Sequence, residues 1–146
     1  MAIVQTATTS FKVELAQGLH NFGPTSPDTF KIALFNGTAS LSAATTQYTA
    51  GMTGEITGTG YTAGGNTLVI SQSPTSAPSG TVAYWSFENV DWTPATFVVR
   101  GALIYNSTNG DKSVACLDFG SDKTATTSFT IVFPPVNNTS AILRIA

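Results

Sequence analysis

The sequence predicts an all-β fold: an antiparallel β-sandwich of about eight strands, jelly-roll type, with one short N-terminal helix. An immunoglobulin-like sandwich is the alternative. Three observations carry this. The chain has 146 residues, enough for one domain with one core. It holds 24 Thr and 14 Ser but only 10% charged residues, and β-branched Thr suits a pleated, half-buried surface. After Pro27, short apolar runs follow at spacings of 8–16 residues with no helix between the later ones, which argues against a parallel α/β sheet.

The helix comes first. Phe11, Leu15, Leu19 and Phe22 recur at helical spacing. Ser10 is the expected N-cap, Glu14 falls in the first turn, and Gly23-Pro24 is the stop. Residues 1–9, "MAIVQTATT", lack core periodicity and are a candidate N-terminal arm that orders on a neighbour. They show no signal-peptide pattern. Strands are expected at 29–35, 51–58 (the weakest), 66–72, 81–92, 96–105, 112–120, 128–134 and 140–146. Residues 41–50 are open between a short helix and an irregular arm. "SPTSAPSG" (73–80) is a loop, and Asn109-Gly110 is a hairpin turn. No repeat or linker divides the chain, so 1–146 is one expected domain.

Composition also narrows function. The net charge is −2 and the pI about 5.0. The six cations are scattered, so no basic field exists for nucleic acid. No apolar run is long enough to span a bilayer as a helix. Cys116 is the only cysteine, so no intramolecular disulfide can form.

Several motifs suggest chemistry and lose it in context. Gly58-Thr-Gly60-Tyr61-Thr-Ala63 fits the glycine pattern that cradles a pyrophosphate, but a strand follows where a helix N-terminus is required. Its glycines read as conformational permits, and Tyr61 as a core plug or a contact to a neighbouring subunit. Asp118-Phe119-Gly120 matches a kinase motif in a chain too short for a kinase. His20, the only histidine, and Cys116 read as a surface helix residue and a buried inert thiol. They cannot supply a closed zinc site. Asp111, Asp118 and Asp122 are candidates for a structural Ca²⁺, although no calcium-loop motif is present. Glu88 and Asp91 lie on opposite faces by parity and make no glycosidase pair. Tyr84, Trp85, Phe87 and Trp92 form the densest aromatic cluster, read as core in preference to a carbohydrate platform. No catalytic residue, metal ligand or cofactor is expected. Tyr61, Trp85 and Trp92 are the candidate partner contacts.

The stretches "SFKVELAQGLHNF" (10–22), "FKIALF" (30–35), "GTGYTAGG" (58–65), "RGALIYN" (100–106), "LDFGSDK" (117–123), "FTIVFP" (129–134) and "ILRIA" (142–146) give the chain a resemblance to small bacteriophage virion structural proteins. It spans nearly the whole sequence. The resemblance implies a non-enzymatic structural protein located in the virion and made in the host cytoplasm. It resembles head decoration (cement) proteins foremost, with the major capsid protein as partner and self-association as dimer or trimer. A tail or fibre component that binds host receptor or carbohydrate is the alternative.

Overall fold

The computed structural model describes residues 2–146. Along them run β1 (Thr6–Ala7), α1 (Thr9–Ala16), β2 (Phe30–Phe35), β3 (Asn66–Thr67), β4 (Ile70–Ser76), β5 (Ala83–Phe87), β6 (Val90–Trp92), β7 (Phe97–Asn106), β8 (Lys112–Ala125), β9 (Phe129–Ile131) and β10 (Leu143–Ile145). The protein is mostly β, with antiparallel strand pairs and one short N-terminal helix. A five-stranded sheet has the order β1-β8-β7-β2-β3, a three-stranded sheet β10-β5-β4, and a two-stranded sheet β6-β9. Ten strands among the described residues replace the expected eight.

The differences have local causes. The 51–58 strand does not form. Gly51 and Gly54 adopt φ of 82° and 86°, and contact with the sheet is reduced to a bridge from Glu55 to Phe35 and single backbone bonds on either side of it. Residues 41–50 are irregular. The expected 81–92 strand divides, because β5 and β6 pair in different sheets. The expected 73–80 loop begins as strand: Ser73–Ser76 completes β4, paired to β5 with register shifts after Ile70 and Gln72.

The helix is shorter than its apolar stripe suggested. Its N-cap is Thr8, whose hydroxyl accepts the Phe11 N–H at 3.3 Å, so Glu14 lies beyond the first turn. Its stop is Gly18, at φ 76°. The Gly18 N–H donates to Leu15 O (3.1 Å) and the Leu19 N–H to Glu14 O (2.9 Å). This is a Schellman closure, five residues before the glycine-proline pair.

Thr8 is also the head of a buried hydroxyl chain. Its Oγ1 lies 2.8 Å from Ser113 Oγ, which donates to Thr45 O at 2.8 Å. Since Ser113 uses its proton on Thr45, Thr8 donates to Ser113. The helix start is thereby fixed to β8 and to the 41–50 segment.

Strand β2 explains the layering. Phe30, Ile32 and Leu34 point to one face and Ala33 and Phe35 to the other, and all five are buried. The first face packs with β5, β6, β9, β10 and α1 through Trp85, Phe87, Trp92 and Phe11. The second packs with Leu103, Tyr105 and Cys116 under a lid formed by Ile3, Ala39, Leu41 and Tyr48. The sheet is therefore covered on both sides, by strands on one and by irregular chain on the other. Residue 1 of the expected arm lies outside the described residues. Ile3 bridges Leu41, and β1 pairs with β8 of its own chain.

Replacing Ser113 by Ala removes the central hydroxyl and leaves the buried Thr8 hydroxyl and the half-buried Thr45 carbonyl short of a partner. The expected loss is about 1–3 kcal/mol, read as a lowered urea midpoint with unchanged slope.

Candidate functional site

The segment from Gly58 to Gly65 folds along the edge of β2 opposite β7, of which β3 pairs only Lys31 and Ile32. There the backbone groups of β2 are met one at a time. Leu68 N–H donates to Phe30 O (2.8 Å), Ile56 N–H to Leu34 O (3.0 Å), and Asn36 N–H to Gly54 O (2.8 Å). Where the chain bulges away, the Tyr61 hydroxyl takes its place and accepts the Leu34 N–H at 3.0 Å. Tyr61 is a partly buried plug within its own chain, and its hydroxyl substitutes for a neighbouring strand.

Glu55 holds that plug. Its carboxylate accepts from Tyr61 Oη (2.9 Å), Tyr48 Oη (3.0 Å) and the Gly64 N–H (2.7 Å). Tyr105 Oη donates to Gly64 O at 2.6 Å, with its ring stacked on Tyr48 at 4.6 Å. Burial, followed by the hydrogen bond to Glu55, pushes the Tyr48 hydroxyl up to about 12. Burial likewise raises Tyr61 and Tyr105, so all three are donors at neutral pH. Three glycines are forced by this path: a methyl at Gly58 would overlap the Thr96 carbonyl, one at Gly60 the Pro94 carbonyl, and one at Gly65 the Ile32 carbonyl. The glycines let the backbone pass close to other backbone.

The candidate calcium residues are separated. Asp118 Oδ1 accepts from Arg100 Nε (3.3 Å) and the Gly120 N–H (2.9 Å). Both hold its carboxyl below the usual range, the Gly120 bond most. Asp122 lies 4.0 Å from Arg100 Nη1. Asp111 sits at the far end of the hairpin, about 20 Å along β8 at ~3.3 Å per residue. Among the described residues, no three His, Cys, Asp or Glu side chains converge on a cation site. Asp91 is exposed and accepts from Thr93 Oγ1 (2.5 Å) and Thr130 Oγ1 (2.7 Å), which lowers its pKa. Glu88 is exposed in the β5–β6 turn.

Cys116 is fully buried in the lid-side cluster, and burial pushes its thiol up to about 11. His20 is not the surface helix residue expected: it follows α1 and is 6% exposed. Its ring lies 5.0 Å from that of Phe11. Asn106 Nδ2 donates to His20 Nδ1 (3.0 Å) and to Asp28 Oδ2 (2.8 Å). The imidazole proton therefore sits on Nε2, which faces Glu14 Oε2 at 4.0 Å; Lys112 Nζ is 3.3 Å from the same oxygen. Burial is the largest influence on His20 and lowers its pKa, against the pull of Glu14 and Asp28. This cluster had no signature in the sequence, since its members lie far apart along the chain.

Trp85 and Trp92 are 3% and 2% exposed. Their rings are core, as is that of Phe87, and they present no stacking face to solvent. Trp85 nevertheless lines an apolar cleft together with Phe11, Leu15, Leu143 and Ile145. Comparisons with protein-family models, curated proteins and solved structures find no match to this chain.

Two outcomes test this geometry. Tyr61→Phe leaves the Leu34 N–H unpaired and should cost about 1–3 kcal/mol. Tyr48→Phe removes one donor to Glu55 but orphans no backbone group, and should cost less in the same denaturation series. His20 is held neutral in the folded chain, so the unfolded chain binds more protons. Stability should therefore begin to fall as pH drops below about 6.5 and continue to fall until the lowered native pKa is passed. Urea midpoints for the wild type and for His20→Gln across that range read the difference in slope.

Proposed function

We propose that this chain is a non-enzymatic bacteriophage virion structural protein, a head decoration (cement) protein that binds and stabilises major capsid protein subunits. The carrying observation is the character of the surface. Only eight acidic and six basic side chains are present, and most of the acids are engaged within the chain: Glu55, Asp28, Asp91 and Asp118 by hydrogen bonds, Glu14 by Lys112. What remains outside is hydroxyl-rich and dotted with apolar side chains such as Val132, Val69 and Val13. Such a surface suits shape-matched packing of about 800 Å² per partner better than a freely diffusing life, which favours mixed charge.

The resemblance to small virion proteins supports the same reading. Self-association as a dimer or trimer and a jelly-roll-type connectivity belong to it. The latter is supported by the passage of the chain between sheets at β3–β4, β5–β6, β6–β7, β8–β9 and β9–β10.

The test is stoichiometry in purified particles, by quantitative mass spectrometry. Hundreds of copies per particle are expected. A dozen or fewer would overturn the cement role and move the chain to the tail or fibre.

A further inference from the structure

The five-stranded sheet ends at β1 and the three-stranded sheet at β10. These two terminal strands flank one cleft. Its larger part, about 400 Å³, is lined by Ala7, Phe11, Leu15, Trp85, Leu143 and Ile145. A smaller part of about 140 Å³ continues between Gln5–Ala7 and Ile142–Leu143.

Three properties of this cleft point to one kind of occupant. The first is the backbone of β1. Thr8 N–H donates to Val114 O and Thr6 sits opposite Cys116. Strand alternation therefore turns the backbone groups of Gln5 and Ala7 away from β8. The second is the apolar wall, in which Trp85 stands with Phe11, Leu15 and Leu143 and which an apolar side chain would cover. The third is charge. Lys12 and Arg144 stand exposed at the rim of the larger part, its lining holds no carboxylate, and neither cation forms an ion pair among the described residues.

We propose that this cleft receives an extended segment of a partner polypeptide. The segment adds as a strand to the free edge of β1, seats an apolar side chain over Trp85 and places an acidic side chain between Lys12 and Arg144. Strand addition of this kind takes affinity from main-chain hydrogen bonds and specificity from alternate side chains. A free acyl carboxylate would satisfy the apolar wall and the cations but leave the β1 edge unmet. The proposal deepens the reading of the chain as an assembly subunit and rests on it.

The test has two arms. In the first, purified protein is titrated with a capped synthetic peptide of about eight residues, Val and Thr alternating around one central Asp. Amide signals are followed by NMR. Saturable shifts at Ala7, Leu143 and the Trp85 indole are expected. The double variant Lys12→Glu/Arg144→Glu should weaken binding about tenfold or more, as should Lys in place of Asp in the peptide. Both cations are exposed, so thermal unfolding of the variant should match the wild type. No saturable shift at millimolar peptide overturns the proposal, as does a response to sodium decanoate alone.

In the second arm, phage carrying the double variant are purified and copies per particle counted. Loss of the variant from particles that hold the wild type supports the proposal. Retention at wild-type copy number overturns it and leaves the virion reading standing. If the wild type itself is absent from particles, the virion reading falls, and the peptide titration alone decides whether the cleft binds a strand.

Discussion

A backbone N–H buried without an acceptor costs about 1–3 kcal/mol, and β2 is placed where such groups cannot reach water. Both its faces lie in apolar clusters, and one edge is filled by β7. The other edge must be met by whatever chain comes next. No single strand does it: β3 covers two residues, and the rest is closed by isolated backbone donors and by the Tyr61 hydroxyl. Much of the 51–68 region is organised by that need. Glu55 fixes Tyr61, Tyr48 and Gly64 in one node, and Tyr105 locks the same loop from the sheet beneath. A node on which three donors converge tolerates little adjustment, because each group is positioned by the others.

The same economy governs the rest of the polar interior. With few charges available, several buried polar groups are chained to one another. Thr8, Ser113 and the Thr45 carbonyl join three distant segments through hydroxyls alone. Asn106 does similar service at the β7–β8 turn. Its carbonyl oxygen accepts the Thr108 and Asn109 amides, while its amide group meets Asp28 and His20. A Thr- and Ser-rich composition thus has an interior role as well as an exterior one.

Periodicity made β2, β5, β7 and β8 legible, because each carries apolar residues that follow strand geometry. The Asn109-Gly110 turn was legible for the same local reason: Gly110 and Asp111 both adopt positive φ. The helix was overextended, since the apolar stripe continues through Leu19 and Phe22 while Gly18 has already ended the helix. Phe22 joins the core from irregular chain, stacked on Phe30 at 4.2 Å. Ser73–Ser76 looked like a loop because Ser and Pro dominate it, yet it pairs with β5 as an exposed edge strand where side-chain burial counts for little. Tyr61 could be singled out from its glycine setting. Glu55 could not, because its donors lie six to nine residues away in irregular chain that follows no period, and the Glu14–His20–Lys112 cluster could not, because Lys112 reaches it only through the tertiary fold.

Sheet order and chain order disagree in this protein. Thr6 pairs with Cys116 and Phe30 with Asn106, while β7 and β8 form a long local hairpin. During synthesis, β1 and β2 would emerge well before their partners exist. The hairpin from Phe97 to Ala125 can form quickly from contacts close in sequence, but both early strands must wait and then dock on it. A topology so weighted toward distant pairings folds slowly for its size. It also leaves the first two-thirds of the chain with apolar surface uncovered until the last third is made, a period in which a chaperone would have something to hold.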